Sequence, residues 1–202
     1  YLGKPKNVIT TKGDLSKYSD SEIKPKTGLI IIGGKSRHYH FRKKVVNQQI
    51  EWLLNNQFKD YQWKITTSPR SPNLDIPKHS GNAEFFSWKD TEEDWLSEEI
   101  KQSEVTFLTP ESVSVLYEGL STNTKVYVFH HEHHTADQYG SEKKTKVTKN
   151  IDKLKSQGQI GYIDSKRYML SRSIKSADLK HPKISKPLSE TKRVVEKLFE
   201  IL

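Results

Sequence analysis

Residues 103–129 read SEVTFLTPESVSVLYEGLSTNTKVYVF, and this stretch decides the fold. Its residues 105–108 and 126–129 are short, unbroken apolar runs, which are typical of strands buried on both faces of a parallel sheet. The residues between them predict a helix, with Pro110 and Ser112 at its start and Gly119 near its end. The stretch therefore predicts a βαβ unit whose helix begins at the carboxyl edge of the sheet, where open α/β sheets bind ligands.

The start of this helix has the groups that an anionic ligand needs. The first N–H groups of a helix have no partner within it, and the hydroxyls of Ser112 and Ser114 lie beside them. Glu118 follows Ser114 by one turn on the same face. Amides and hydroxyls suit a diphosphate, and a carboxylate suits ribose hydroxyls, so the pattern predicts a nucleotide site. The alternatives are that Ser112 only caps the helix and that Glu118 is simply solvated.

A second loop with similar chemistry follows the strongest predicted strand. Residues 28–34 read GLIIIGG, and four continuous aliphatic residues indicate a central parallel strand. Gly33 and Gly34 permit a tight turn and close approach of a ligand, and Ser36 adds a hydroxyl. A plain turn is the alternative, because neither known glycine-rich phosphate-loop spacing is present.

A third loop, SPRSP at residues 68–72, follows a predicted strand at residues 61–67. Arg70 is its candidate partner for a diphosphate or carboxylate, and an ordinary exposed arginine is the alternative. Further helices are predicted at about residues 41–56, 90–102, 143–156 and 188–202, and further strands at residues 84–88 and 160–163.

The stretch HHEHH at residues 130–134 suggests zinc, but the H-E-x-x-H spacing does not occur. We therefore predict no metal and no cofactor. The remaining readings are a polar loop at the mouth of the cleft, or one histidine that touches a ligand phosphate.

Composition narrows the class of partner. The 202 residues carry a net charge of +9, which favours anionic partners such as nucleotides or acidic headgroups. The lysines are too dispersed to form a nucleic-acid arm, so no specific nucleic acid is expected. There is no cysteine and no apolar run near the roughly 20 residues that span a bilayer. We expect a cytoplasmic protein, with membrane association left open, and the start at Tyr1 suggests a piece of a longer chain.

These patterns predict an α/β fold, a Rossmann-like parallel sheet flanked by helices. The predicted organisation is a linker at residues 1–26, a Rossmann-like nucleotide-binding domain at residues 27–185, and a C-terminal helix at residues 186–202.

The order of the loops resembles the mitochondrial fission protein family, which has abundant bacterial relatives. The likeness is carried by residues 29–34 with Ser36 and Tyr39, by the Thr-Thr-Ser-x-Arg run that ends at Arg70, and by Glu111-Ser112-Val113-Ser114 with Glu118. Two positions depart from the family pattern. Pro69 replaces one of two arginines, and Glu111 stands where aspartate is expected.

The resemblance implies a GT-B-like glycosyltransferase architecture, of which this chain would be the C-terminal, donor-binding half. It implies that a nucleoside-diphosphate sugar binds without a metal, that catalytic groups come mainly from an N-terminal domain outside this chain, and that this half alone is inactive. Gly33, Gly34, Ser36, Ser112 and Ser114 would hold the diphosphate, Arg70 would neutralise it, and Glu118 would bind ribose.

Two other functions can be compared with nucleotide-sugar binding. A non-catalytic GT-B-like scaffold would act through protein or membrane-surface contacts, using the basic surface and the final helix. A nucleotide-sugar epimerase is excluded, because no dinucleotide-binding loop follows the first strand.

Overall fold

The computed structural model describes residues 8–9, 11, 15, 22–74, 79–133, 144–164, 174–175, 178–184, 187–188 and 190–200. The predicted linker at residues 1–26 lies mostly outside these ranges. His134, the last residue of the histidine stretch, also lies outside them. No helix among the described residues is both long enough and apolar enough to cross a membrane.

Within the described residues, the chain alternates strands and helices around one large sheet. The strands are β1 (Lys24–Ile32), β2 (Tyr39–His40), β3 (Gln62–Thr67), β4 (His79–Ser80), β5 (Ala83–Phe86), β6 (Ser103–Leu108), β7 (Lys125–Val128), β8 (Glu132–His133), β9 (Gly161–Ile163) and β10 (Leu179–Lys180). The helices are α1 (Lys43–Trp52), which continues as a π-helical turn (Leu53–Gln57), α2 (Trp95–Gln102), α3 (Val113–Leu120), α4 (Lys146–Ser156) and α5 (Glu190–Phe199).

The described part of the large sheet has the strand order β10-β9-β7-β6-β1-β3-β5-β4. Strands β9, β7, β6, β1, β3 and β5 are mutually parallel, and β10 and β4 pair antiparallel at the two edges. The six parallel strands follow the Rossmann order 3-2-1-4-5-6, with β1 as the first strand. After β1, strands β3 and β5 are added on one side of it, and β6, β7 and β9 on the other. The carboxyl ends of β1 and β6 therefore mark the topological switch point, where such folds bind ligands.

Alternate residues of β1 explain why the strand is continuously apolar. Ile30 and Ile32 face a cluster that includes Val46 and Ile50 of α1, whereas Leu29 and Ile31 face the opposite cluster with Ile100, Leu116, Ile151 and Leu154 of α2, α3 and α4. All four β1 residues are at most 3% exposed. Because both faces are covered by helices, a strand at this position needs apolar residues throughout.

The predicted fold class is confirmed, and the main elements lie where the patterns placed them. The differences lie at element ends and in short pieces. Strand β1 begins at Lys24, three residues before the predicted domain boundary, and α2 begins at Trp95 rather than near Asp90. The antiparallel β4 and β10 and the small β2–β8 sheet are absent from the predictions, because strands of two residues carry no periodicity.

Candidate functional site

Three loops meet at the switch point, one after each of the neighbouring strands β3, β1 and β6. The Ser68 amide donates to the Ile32 carbonyl at 3.0 Å, and the Thr109 amide donates to the Ile31 carbonyl at 3.2 Å. These bonds continue the strand pairing beyond the sheet and hold the three loops side by side. The Gly33, Arg70 and Ser112 regions therefore lie side by side at the carboxyl edge of the sheet.

The glycine loop after β1 is fixed by the loop after β6. The Gly33 amide donates to Thr109 Oγ1 at 2.7 Å, and the Gly34 amide donates to Glu111 Oε1 at 2.8 Å. Thr109 Oγ1 in turn donates to Glu111 Oε1 at 2.8 Å. Both glycine amides are thus already used inside the protein. In this conformation they do not offer the free N–H groups that were predicted to hold a diphosphate.

Close packing explains why both loop positions are glycine. A Cβ on Gly33 would lie 1.7 Å from Glu111 Oε1, and a Cβ on Gly34 would lie 1.8 Å from the Arg70 carbonyl oxygen. No real Cβ atom approaches its neighbours so closely. The two glycines therefore let the three loops touch, which is a structural role at the centre of the site.

Ser36 and Arg70 occupy the rim of the site. Ser36 Oγ accepts from the amides of His38 and Tyr39 at 3.1 and 3.2 Å and so shapes the turn that leads into β2. The side chain of Arg70 is exposed. Burial raises the pKa of the Glu111 carboxyl, and the charge of Arg70 acts in the opposite direction. Arg70 is therefore a solvent-accessible cation at the carboxyl edge, as the sequence suggested.

The helix α3 begins at this edge without a side-chain cap. Ser112 is its N-cap residue, and the Ser112 side chain makes no capping hydrogen bond. This differs from the alternative interpretation in which Ser112 only caps the helix. Within the part of the chain that the structure describes, no acceptor is found for the amides of Val113 and Ser114. The positive end of the α3 dipole is therefore open beside the Glu111 carboxyl and Arg70.

Ser114 and Glu118 lie further along α3, in a groove between α2 and α3. This groove has a volume of about 380 Å³, and its other described lining residues are Leu15, Asp94, Ser97, Glu98, Lys101 and Thr122. The Ser97 hydroxyl of α2 donates to Glu118 Oε1. Glu118 is thus held in a fixed direction towards the groove, and it lies about 9 Å from Ser112 along the helix at 1.5 Å per residue.

The loop after β7 belongs to the same edge but faces inward. Gln49 is buried, and its side chain makes two hydrogen bonds with the backbone of His130: its Nε2 donates to the His130 carbonyl at 3.1 Å, and its Oε1 accepts from the His130 amide at 2.7 Å. Arg42 and Glu132 form an ion pair of 2.7 Å that ties β8 to the start of α1.

His131 is packed against aromatic rings rather than open to a ligand. Its ring lies 6.4 Å from that of Tyr39 and 5.5 Å from that of Phe41, centre to centre. Burial lowers the pKa of His131 to about 4, and the positive charges of His130 and Lys155 act in the same direction. The histidine is therefore neutral near pH 7. Among the described residues, no group of three or more potential ligands could hold a metal ion.

A second groove of about 370 Å³ lies at the opposite, amino edge of the sheet. Its lining includes Lys24, Gln62 and Asn82, and the Lys64–Glu99 ion pair of 2.5 Å crosses its wall. The two grooves are similar in volume, so size does not choose between them. We assign function to the carboxyl edge, because the open helix end and the switch point occur there and parallel α/β sheets bind ligands at that edge.

Residues 2–202 of the chain match the family described as mitochondrial fission ELM1. The chain belongs to this family. No curated protein and no solved structure gives a significant match to it.

In this ELM1-family chain, sequence reasoning missed the groups that organise the site from within. Thr109 and Glu111 accept the hydrogen bonds that fix the glycine turn, and Gln49 holds the His130 backbone, but the predicted site included none of the three. A polar residue on the buried side of an amphipathic helix was the one available signal for Gln49.

Proposed function

We propose that the chain binds the nucleoside-diphosphate part of a nucleotide sugar at the carboxyl edge of its sheet. The observation that carries this proposal is the uncapped N-terminus of α3 at the switch point between β1 and β6. Free N–H groups at a helix N-terminus favour an anion both by hydrogen bonding and by the helix dipole. The diphosphate lies against Val113 and Ser114, and Arg70 neutralises part of its charge.

The groove between α2 and α3 supports a position for the ribose. Glu118 lies about 9 Å from Ser112 along the helix axis, which is the scale on which a ribose follows a diphosphate. Its second carboxylate oxygen accepts the ribose hydroxyls while Ser97 holds the first. Ser114 is exposed in the same groove and lies between the two subsites.

Gly33, Gly34 and Ser36 contribute by position in this proposal. Because the two glycines have no side chain, the β1 loop packs closely against its neighbours and leaves room for a ligand at the start of α3. Ser36 holds the turn that follows. In a GT-B-like glycosyltransferase, the α3 N-terminus and Arg70 would stabilise the diphosphate as it leaves the sugar. The acceptor and the catalytic base are not assigned to residues of this chain.

Calorimetric titration with UDP, GDP and the corresponding nucleosides tests the proposal. We expect either diphosphate to bind, and its nucleoside to bind at least tenfold more weakly, because the helix end contributes more than about 1.4 kcal/mol. The decisive variant is Ser112→Asp. It places a carboxylate at the helix end, where it caps the helix and excludes the phosphate, so binding should fall at least tenfold without loss of stability.

The matched control is Thr145→Asp. Thr145 is the N-cap of α4, and its Oγ1 already accepts from the Thr148 amide at 3.3 Å. The same substitution at this second helix should leave nucleotide affinity unchanged. Equal binding by wild type and Ser112→Asp would contradict the proposed site, and a wild type that binds no nucleotide would contradict the proposed function.

The C-terminal helix favours a second candidate, a scaffold that binds an anionic membrane surface. Val195, Leu198 and Phe199 of α5 share one face and are exposed, with Phe199 75% exposed. Lys192 and Lys197 lie on the same helix. An apolar face combined with lysines is the pattern of a helix that lies in the plane of a membrane interface.

Flotation with phosphatidylcholine vesicles, with and without phosphatidylserine, tests this second candidate. We expect wild type to float with the anionic vesicles, and the double variant Leu198→Ser, Phe199→Ser to lose most of that binding. Trp88→Ser removes an exposed aromatic residue elsewhere and is the control that should bind normally. Flotation of the double variant equal to that of wild type would rule out α5 as the membrane-binding element.

A further inference from the structure

Glu111 is an acid at the junction of the β1 and β6 loops, and among the described residues only one of its two carboxyl oxygens has a hydrogen-bond partner. The residue is 7% exposed. Oε1 accepts from the Gly34 amide and from Thr109 Oγ1, both at 2.8 Å. Oε2 is buried, and no hydrogen-bond partner for it is found among the described residues. A buried oxygen without a partner is costly, so this position indicates a group that a ligand completes.

The surroundings of Glu111 favour its neutral form more than those of an ordinary surface acid. Burial raises the pKa of Glu111, while the amides of Glu111 and Gly34, the Thr109 hydroxyl and the charge of Arg70 act in the opposite direction. The negative charges of Asp152 and Glu111 add to the effect of burial in raising the pKa of the Tyr39 hydroxyl. Arg70 in the loop after β3 and Tyr39 in β2 are thus a charged and a titratable group that interact electrostatically with Glu111.

Glu111 is the residue before the N-cap Ser112, so a diphosphate at the α3 N-terminus would lie close to this carboxyl, and the loop must open slightly for a phosphate oxygen to reach the buried Oε2. Two negative charges placed this close to each other near a protein surface repel. This repulsion disappears if Glu111 takes up a proton, since Oε2 then becomes an O–H donor. A buried carboxylic acid that stays neutral in order to donate a hydrogen bond is an established device in proteins.

We propose that Glu111 is a ligand-contacting acid, which binds one proton together with the diphosphate and donates it from Oε2 in a hydrogen bond to a phosphate oxygen. This inference rests on the proposed nucleotide site and adds a specific property to it. Binding of a nucleotide sugar is coupled to proton uptake and weakens as the pH rises, by at most tenfold per pH unit for a single proton. Glu111 also keeps the glycine loop in place through Oε1 in both protonation states.

The opposite arrangement makes opposite predictions. If Glu111 stayed ionised, Oε2 would accept a hydrogen bond from a hydroxyl of the sugar. Binding would then involve no proton uptake at this residue. Replacement by glutamine, which puts an amide donor in place of the second oxygen, would weaken binding.

Calorimetric titration in PIPES and in Tris, whose ionisation enthalpies differ, counts the protons taken up. The probe is UDP-glucose or GDP-glucose, whichever binds more tightly. Each phosphate of a nucleotide sugar carries one ester bond and shares the anhydride bond, so neither phosphate titrates near neutral pH. We expect wild type to take up protons as the nucleotide sugar binds, and its affinity to fall as the pH rises. Glu111→Gln should bind at least as tightly, take up no proton and lose this pH dependence. Glu196→Gln, an exposed residue of α5, should behave like wild type.

The outcomes separate the two levels of the proposal. A wild type that binds neither nucleotide sugar overturns the nucleotide site and this inference together. Binding without proton uptake, or equal uptake by wild type and Glu111→Gln, leaves the nucleotide site intact and overturns the role of Glu111. Infrared spectra of wild type provide a second readout that does not depend on how the variant folds. The carboxylic acid band should grow when the ligand binds, and its absence from the complex would overturn the inference.

Discussion

Replacing Gly34 by alanine should lower the free energy of unfolding by about 3 kcal/mol or more and abolish nucleotide binding. The new Cβ would lie 1.8 Å from the carbonyl oxygen of Arg70 and 2.3 Å from its carbonyl carbon. These are backbone atoms of a loop that is bonded to β1 through the Ser68 amide, so they have no free movement. Urea denaturation, followed by tryptophan fluorescence, measures the loss of stability.

Two other glycines provide the comparison. At Gly33 the nearest atom to a new Cβ is Glu111 Oε1, the end of a side chain, so alanine there should cost less than at Gly34. At Gly81 a Cβ would meet nothing within 4 Å, although the backbone has φ of +58°. Alanine at Gly81 should therefore cost only about 1 kcal/mol of backbone strain. If Gly34→Ala were as stable as Gly81→Ala, the three loops could not be packed as described.

His131 should make the protein sensitive to acid. Burial lowers its pKa to about 4 from the ordinary value of 6.5, so the unfolded chain binds the proton more tightly than the folded one. The stability that neutral His131 contributes is fully present above about pH 6.5 and is lost as the pH falls towards 4. At 1.36 kcal/mol per pKa unit, this loss is about 3 kcal/mol. Denaturation at pH 7 and at pH 4 measures it.

His131→Leu isolates this effect from the other titrating groups. Among the described residues, neither ring nitrogen of His131 has a hydrogen-bond partner, so an apolar residue of similar volume loses no bond to that part of the chain. The variant should be about as stable as wild type at pH 7 and about 3 kcal/mol more stable relative to wild type at pH 4. An equal decrease in stability for both proteins would show that His131 is not the buried neutral group described.

The alternation of strands and helices could be predicted from the sequence, because a strand that is buried on both faces has apolar residues at successive positions. Residues 29–32, 105–108 and 126–128 are apolar runs, interrupted only by Thr106, and each lies in a strand of the parallel sheet. The helices between them alternate with the strands, which predicts a parallel sheet with crossovers. The strand order was not accessible in the same way, because it depends on tertiary pairing.

The shared location of the three loops followed from the same pattern. Loops at the carboxyl ends of parallel strands lie on one edge, so the Gly33, Arg70 and Ser112 regions could be placed together in advance. Their hydrogen bonds could not. The capture of the Gly34 amide by Glu111 and the engagement of Glu118 by Ser97 join residues that are 77 and 21 positions apart. Such contacts are set by packing and leave no local pattern.

The central claim is that the ligand lies at the α3 N-terminus, and amide NMR tests it most directly. UDP or GDP, whichever binds in the calorimetric titration, is added to ¹⁵N-labelled protein. The amide signals of Val113 and Ser114 should shift most, those of Glu118 and Arg70 should shift less, and those of Gly81 and Asn82 at the amino-edge groove should stay unchanged. Saturable shifts at Gly81 and Asn82, with Val113 and Ser114 unaffected, would contradict the account.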